Sequence, residues 1–204
     1  MAKATSTTKA AATKATTSVE LQPLDLQTIT VRIEGDSSLI THPWSEKAKK
    51  QMLDKQMKKA TKGREAKDPE ADFKASLYHM PNGDGYGFPS IGFKLAAVRA
   101  AKLSGMAMTD ARAAFHVLGE MTKIEGEPTM REDTVRLQGG TADLRYRAEF
   151  LEWSADLTIR YNAAAISAEQ VINLVNAAGF GTGIGEWRPE KNGQHGTFHV
   201  ATEG

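Results

Sequence analysis

Two neighbouring segments near the C-terminus constrain the fold most strongly, because both alternate apolar and polar residues. In residues 144–150 the apolar positions are interleaved with Arg145 and Arg147, and in residues 153–161 with polar residues that include Arg160. A period of two puts successive side chains on opposite faces of a β-strand. We therefore predict two strands, each with one apolar face and one polar face that carries arginine.

A helix and a short strand are predicted after these two segments. Residues 167–170 read Ser-Ala-Glu-Gln, which is a capping box at a helix N-terminus. The apolar residues from Val171 to Ala178 share one helix face, and Gly179 is typical of a helix C-terminus. After a polar turn, Thr197 to Val200 predict a last short strand.

The N-terminal half contains a further strand and a lysine-rich helix. Thr28 to Glu34 alternate apolar and polar residues, which predicts a half-buried strand. Pro43 then favours the start of a helix that runs to about residue 59. Residues 58–70 are charged and contain Gly and Pro, so we expect a loop there. Helix and loop together predict a lysine-rich, mobile excursion at about 45–72.

The middle of the chain predicts a hairpin followed by an apolar helix. Ala75 to Met80 is interpreted as a strand, residues 81–85 as a tight turn and Tyr86 to Phe88 as the partner strand. Pro89 and Ser90 then open the helix. Further along, the pattern predicts a short helix at residues 111–115 and a strand at residues 116–124.

The glycines of residues 179–185 stand at alternate positions, which suits neither a helix nor a strand. Such a segment suits a loop that bends sharply or lies against another backbone. Backbone N–H groups in a loop of this kind can face phosphates, so Gly181, Gly183 and Gly185 are candidate contacts. Trp187 and Arg188 add a stacking plane and a charge. A helix C-cap followed by a tight turn is the alternative interpretation.

This segment is not a dinucleotide-binding fingerprint or a P-loop, because it follows a helix and precedes a strand. A second segment of interest runs from Tyr86 to Arg99, where a strand leads through Pro89 into a helix that carries Lys94 and Arg99. The helix N-terminus offers unpaired N–H groups to an anion. An ordinary joint between a strand and a helix is the alternative.

The formal net charge of +1 conceals an uneven distribution. Residues 1–64 carry 12 Lys and Arg against 6 Asp and Glu, whereas residues 65–204 carry 14 against 19. A basic stretch can be a surface that tracks phosphates, or simply a solvated helix face. The candidate contacts in this stretch are Lys47, Lys50, Lys58, Lys62 and Arg64. The composition of residues 1–20 predicts a flexible basic tail. This tail is either an arm that attracts phosphates or a solvated segment with no function.

The composition excludes several other kinds of site. The chain has no cysteine, which excludes a disulfide scaffold, a thiolate zinc site and a cysteine nucleophile. His195 and His199 lie across a turn and a strand, and a spacing of four aligns two ligands only on a helix. We therefore predict no metal site and no cofactor. No apolar run approaches the ~20 residues that span a bilayer, so we expect no membrane partner.

Three segments together resemble the RAMP (repeat-associated mysterious protein) superfamily, which includes the RNA-binding backbone subunits of CRISPR effector complexes. Residues 33–40, Ile-Glu-Gly-Asp-Ser-Ser-Leu-Ile, are similar to the family's first strand and its "Pro/Ser-Leu-Ile" stretch. Phe88 to Arg99 resembles the family's "Ile-Pro-Gly-Ser-Ser-Leu-Lys-Gly-x-x-Arg" joint, but lacks the Gly after Pro89. Residues 179–200 are similar to its glycine-rich loop between the last helix and the last strand. The whole chain also resembles proteins of tailed bacteriophages.

The resemblance implies an α+β fold: a modified ferredoxin-like (RRM-like) antiparallel sheet with helices on one face and inserted excursions, spanning residues 21–204. It also implies a non-enzymatic protein that binds single-stranded RNA or DNA as stacked protomers, a homo-oligomer or filament, in the cytoplasm of a bacterial host. We expect the strand to lie across the sheet and the glycine-rich loop. The candidate contacts outside the lysine-rich stretch are Lys94, Arg99, Arg145, Arg147, Arg160, Gly181, Gly183, Gly185, Trp187 and Arg188.

Two alternatives remain open. Some relatives cut RNA with a histidine or with an aspartate after the first strand, which makes Asp36 and His42 candidates for a metal-independent endoribonuclease. An aspartate in a Gly-Asp-Ser-Ser turn is also a common turn former. A structural component of a phage head or tail is the third possibility.

Overall fold

The computed structural model describes residues 23–44, 46–59, 67–136, 140 and 142–202. The predicted tail, residues 1–20, lies outside this part of the chain. The described elements are, in chain order, β1 (Leu26–Gly35), β2 (Leu39–Thr41), α1 (Glu46–Gln56), α2 (Pro69–Ala75), β3 (Tyr86–Pro89), α3 (Ser90–Ala100), α4 (Met108–Ala114), β4 (Phe115–Val117), β5 (Met121–Ile124), β6 (Pro128–Arg136), β7 (Ala142–Phe150), β8 (Ser154–Asn162), α5 (Ala168–Gly181) and β9 (Phe198–Val200).

A four-stranded antiparallel sheet with the order β4-β8-β1-β9 forms the centre of the fold. With α3 between β1 and β4, and α5 between β8 and β9, these elements follow the connectivity βαββαβ. That connectivity and strand order define the ferredoxin-like arrangement. The predicted fold class, α+β with an antiparallel sheet, helices on one face and insertions, is confirmed.

The core lies between this sheet and the pair α3 and α5. Alternation places Ile33 of β1 and Ile159 of β8 on the covered face, where both are 0% exposed. Phe93 of α3 and Val171 of α5 pack on the same cluster. Burial of each such side chain stabilises the fold by roughly 1.5–3 kcal/mol. The opposite face of the sheet carries the polar residues of the same strands and is exposed.

Two insertions extend this core. The first, between β1 and α3, contains β2, α1, α2 and β3, and the second, between β4 and β8, contains β5, β6 and β7. The insertions combine into a three-stranded sheet of order β2-β7-β6 and a two-stranded sheet of β3 and β5. The predicted strand over residues 116–124 is therefore two short strands, β4 and β5, in different sheets.

The predicted hairpin of residues 75–88 is only partly confirmed. Asp68 caps α2 by accepting a hydrogen bond from the backbone of Ala71, and Pro69 occupies the first turn, so the chain before residue 76 is helical. An isolated bridge joins His79 to Tyr86, and the N–H of Gly87 donates to the carbonyl of Tyr78 at 2.9 Å. The partner of β3 is β5, which is distant in sequence.

The prediction of one apolar and one polar face holds for β8 and fails for β7. On β7 the polar Arg147 is 2% exposed, whereas the apolar Leu144 is 41% exposed. The reason is that the second half of β7 is buried on both faces, and that carboxylates meet its arginine there. Arg147 donates to Asp133 at 3.1 Å.

Candidate functional site

Polar side chains of β1, β4 and β8 lie in rows across the uncovered face of the central sheet. In one row His116 lies opposite Arg160, which lies opposite Thr28. In the next row Thr158 lies opposite Thr30. All five residues are exposed, so this end of the face is accessible to a ligand.

Basic side chains converge at the β4 end of this face. The Nζ atom of Lys94 on α3 lies 2.9 Å from the Nδ1 atom of His116 on β4. Arg112 of α4 lies close to Lys94, and Arg160 lies close to His116. We call these four side chains, Lys94, Arg112, His116 and Arg160, the basic cluster.

No acid compensates the basic cluster within the residues that the structure describes. Lys94, Arg112 and Arg160 have no carboxylate within ion-pair distance there. Burial, and then the charge of Arg112, lowers the pKa of Lys94. Burial, and then the charges of Lys94 and Arg160, lowers the pKa of His116. Both shifts disfavour a positive charge, so an anion at this point would relieve the repulsion.

The other end of the same face is electrically neutralised. Arg32 forms ion pairs with Glu125 and Asp156, and these acids raise its pKa above the usual range. The same pairing lowers the pKa of Glu125. Here Asp36 also contacts His199, with 2.6 Å between Oδ1 and Nδ1. A phosphate would therefore find competing acids at this end and none at the basic cluster.

A cleft of about 220 Å³ separates α3 from the glycine-rich loop, and so brings together the two segments singled out in the sequence. Arg99, Arg188, His42 and the acid Glu186 line this cleft, and both arginines donate to Glu190, which lies beside it. Lys94 does not line this cleft, because its position on α3 places it on another side of the helix. The structure thus separates Lys94 from Arg99.

The glycine-rich segment owes its composition to close backbone contacts. A Cβ atom on Gly179, which lies within α5 rather than after it, would be 1.8 Å from the carbonyl oxygen of Phe198. Gly185 has φ +76°, and a Cβ there would be 2.5 Å from the carbonyl oxygen of Ile40. The N–H of Gly183 donates to the carbonyl of Ala178 at 2.8 Å. Gly181 is the last residue of α5.

Two further loop candidates differ in accessibility. Trp187 is 45% exposed and has a left-handed backbone, with φ +54°. Arg188 is half-buried, and besides Glu190 it donates to the carbonyl of Gly185 at 2.9 Å. Trp187 could therefore stack on a ligand, whereas Arg188 is already occupied.

Arg145 and Arg147 lie in the insertion sheet rather than on the central one. Arg147 belongs to a buried ionic network in which Arg131 bridges Asp133 and Glu149, each at 2.9 Å. Its Nε atom is buried and has no hydrogen-bond partner. Arg145 lies 3.8 Å from Asp143. The prediction of an exposed arginine on this strand is thus wrong for Arg147.

Helix α1 projects lysines and apolar side chains to solvent. Lys50 and Lys58 are exposed, as are the apolar side chains of Trp44, Met52 and Leu53. Lys47 lies in α1, but its side chain is outside the described part of the chain, as are Lys62 and Arg64 entirely.

The two candidate catalytic residues have different partners. Asp36 contacts His199, and the Nδ1 atom of His42 lies 3.6 Å from Glu186. This contact, with the charges of Arg147 and Arg188, lowers the pKa of Glu186. Across the described ranges, no group of three or more His, Asp or Glu could hold a metal ion, and no helix is long and apolar enough to cross a membrane.

Sequence reasoning missed Arg112 and His116. The register that places His116 opposite Arg160 joins residues that are distant in the chain. The available signal was weak: Phe115 and Val117 flank His116 with the alternation of a short strand.

Comparisons with known proteins return distant likenesses only. No family model matches the chain, and no curated protein matches it. One similar solved structure is the crystal structure of Cmr6 from Pyrococcus furiosus, with a TM-score of 0.46 and 9% identity over 88% of this chain and 100% of that one. Another is the cryo-EM structure of the Type III-B Cmr-beta bound to cognate target RNA, with a TM-score of 0.47 and 9% identity over 87% of this chain and 59% of that one.

Proposed function

We propose that this protein binds single-stranded nucleic acid, with the phosphates of the strand held at the basic cluster. The observation that supports this most directly is the absence of a described carboxylate partner for Lys94, Arg112 and Arg160. Most other arginines in the described residues are ion-paired, including Arg32, Arg99, Arg131, Arg147 and Arg188. A group of cations without acids is well suited to phosphate binding, because no carboxylate competes with the phosphate.

The chemistry of the uncovered face favours contacts to the sugar-phosphate backbone. Thr28, Thr30 and Thr158 offer hydroxyl groups beside the basic cluster. The described strands place no Phe, Tyr or Trp on this face, so bases cannot stack on it as they do in many proteins that bind single strands. We expect little base preference from the face itself.

A salt titration against labelled single-stranded DNA and RNA tests this proposal. The logarithm of the binding constant should fall linearly with the logarithm of salt, and Arg160→Gln should reduce the slope by about 0.7, the loss of one contact to a single strand. Arg136→Gln is the matched control, because Arg136 is exposed at the end of β6 in the other sheet. An affinity that ignores salt, or equal losses in both variants, would contradict the proposal.

A second candidate function is metal-independent cleavage of RNA. The observation that favours it is the contact of Asp36 with His199, since a carboxylate at Nδ1 orients an imidazole for general acid–base chemistry. His42 lies elsewhere, beside Glu186. RNA should be cut in EDTA by the wild type and not by His199→Gln. RNA that stays intact in EDTA removes this candidate.

We further propose that protomers assemble along the strand, as expected of a phage-encoded protein of this kind. The basic first third and the acidic remainder of the chain support contacts between unlike surfaces of neighbouring copies. Electron microscopy should reveal regular particles only when nucleic acid is added. Assembly without nucleic acid would instead favour a head or tail component.

A further inference from the structure

The cleft between α3 and the glycine-rich loop is lined by two kinds of side chain. Tyr78 and Phe88 are aromatic and pack edge to face, with ring centroids 5.6 Å apart. Arg99 of α3 and Arg188 of the loop are cationic, and the acid Glu186 lines the cleft as well. An aromatic ring beside two guanidinium groups suits the recognition of a nucleotide, whose base can stack on the ring and whose phosphate is anionic.

Glu190 lies beside this cleft and pairs with both of its arginines. A single oxygen, Oε2, accepts hydrogen bonds from NH1 of Arg99 at 2.8 Å and from Nε of Arg188 at 2.9 Å, and NH2 of Arg188 is also 2.9 Å away. Guanidinium groups bind phosphate oxygens in the same manner. The side chain of Glu190 is 25% exposed, so solvent and ligands can reach the pair.

The carboxylate can leave without unfolding the loop. Glu190 lies in a short 3-10 turn, Pro189–Lys191, and its backbone N–H donates to the carbonyl of Thr182 at 3.2 Å. The backbone is thus held independently of the side chain, which can rotate outward. Glu186, the acid that lines the cleft itself, contacts His42, and its pKa is lowered by that contact and by the charges of Arg147 and Arg188.

We propose that the two arginines of this cleft form a second phosphate site, to which the chain's own Glu190 binds in the unliganded protein. One nucleotide of a bound strand displaces the carboxylate, with its phosphate between Arg99 and Arg188 and its base against Tyr78. This inference rests on the proposed function, and it adds an intramolecular competitor to it. Because Glu190 competes for the two arginines, a ligand binds here only if its phosphate can replace the carboxylate.

The competing interpretation is that Glu190 is a structural strut that orients the two arginines. The two interpretations predict opposite signs for Glu190→Gln. A strut whose charge is removed leaves Arg99 and Arg188 poorly oriented, so affinity for a phosphate falls. A competitor whose charge is removed leaves them available, so affinity rises.

The test compares the wild type with Glu190→Gln. Calorimetry measures the affinity of each protein for adenosine 5′-monophosphate and for adenosine, and a separate titration measures its affinity for a labelled single strand. We expect Glu190→Gln to bind the monophosphate about tenfold more tightly, as suits removal of a charged competitor. Adenosine, which has no phosphate, should show no gain. The single strand should gain several-fold in affinity, with a salt slope that is steeper by about 0.7.

Two further variants make the result specific. Asp84→Asn removes one acidic charge from an exposed pair with Lys123, and it should leave all three affinities unchanged. Arg99→Gln in the Glu190→Gln background should abolish the gain, because it removes one of the two donors. Thermal unfolding of each variant confirms that it is folded.

The outcomes separate this inference from the proposed function. If the monophosphate gains nothing, or if Asp84→Asn gives an equal gain, the second site is refuted even where the wild type binds a strand. A gain for the monophosphate without one for the strand refutes its role in strand binding. If the wild type binds no strand at any salt concentration while the monophosphate result holds, the proposed function fails and the cleft remains a nucleotide site.

Discussion

Replacement of Lys94 by methionine tests the basic cluster most sharply, because it should stabilise the protein while it weakens binding. Lys94 is 9% exposed and faces no described carboxylate. Its nearest polar partner is His116, which is itself a base. Methionine keeps a long, apolar side chain of similar volume and removes the charge.

The magnitude follows from the surroundings of the ammonium group. The effective penalty for burying an ion is several kcal/mol, and replacement of a buried charged group by an apolar side chain of similar volume often stabilises a protein by 1–4 kcal/mol. The lost contact with His116 offsets about 1 kcal/mol of this, and water can replace it because His116 is exposed. We expect a net gain of about 1 kcal/mol, which is ~2–4 °C in Tm for a chain of this size.

The same variant should bind a single strand about tenfold more weakly at low salt, because a charge-assisted hydrogen bond to phosphate is lost. Calorimetric melting without ligand and a salt titration measure the two effects. Lys102→Met is the matched control. Because Lys102 is exposed, its replacement should change neither the Tm nor the affinity for the strand. If Lys94→Met has a lower Tm than the wild type and binds the strand with the same affinity, the proposal that Lys94 binds an anion is refuted.

Three further results are expected. Lowering the pH from about 7.5 to 5.5 should strengthen strand binding more in the wild type than in His116→Gln, because the lowered pKa of His116 keeps it neutral until the solution is acidic; without ligand, the wild type should lose stability over the same interval, since the unfolded chain binds this proton more readily. Gly179→Ala should destabilise the fold by more than about 3 kcal/mol in chemical denaturation, because the added Cβ would overlap the carbonyl oxygen of Phe198. Asp133→Ala should cost about 3 kcal/mol or more, because it leaves the buried Arg147 unpaired, whereas Asp84→Ala, in an exposed pair, should cost under ~1 kcal/mol.

Local sequence patterns predicted the elements of the central sheet well. The period of two marked β1 and β8, and the capping box at Ser167 marked the start of α5, where both of its hydrogen bonds are present. These signals arise within ten residues of chain, so they need no knowledge of neighbours. The order of strands, by contrast, came from the resemblance to a family and not from the patterns.

Pairing between distant residues was not predictable from the patterns. β3 pairs along its length with β5, whereas its contact with the predicted partner segment is limited to the bridge from Tyr86 to His79 and the hydrogen bond from Gly87 to Tyr78. The alternation in β7 predicted an exposed arginine, but alternation cannot tell a face covered by another segment from a face covered by water. Arg147 is buried because Asp133, on the neighbouring strand, compensates it.

The candidate site was predicted in its parts and not in its arrangement. The sequence predicts Lys94 on a helix and Arg160 on a polar strand face, and both positions agree with the structure. The same role, contact with nucleic acid, is predicted for Arg99 and Arg188. The difference is a single acid: Glu190 binds both Arg99 and Arg188, and no described acid binds Lys94 or Arg160. No pattern in the sequence marks Glu190 as that partner.

Net charge is therefore a poor guide to phosphate binding in this chain, both for the whole sequence and for its parts. The basic cluster lies within residues 65–204, the part with the acidic excess. Several of the acids in this part pair with other arginines and lysines, and none pairs with the cluster in the described residues. A local excess of positive charge in a nearly neutral protein produces an electrostatic field that is screened beyond about 10 Å at 0.1 M salt. Long-range steering should then contribute little, so the salt dependence of binding should appear in the dissociation rate more than in the association rate. An association rate that falls steeply with salt would instead assign the attraction to the lysine-rich N-terminal third.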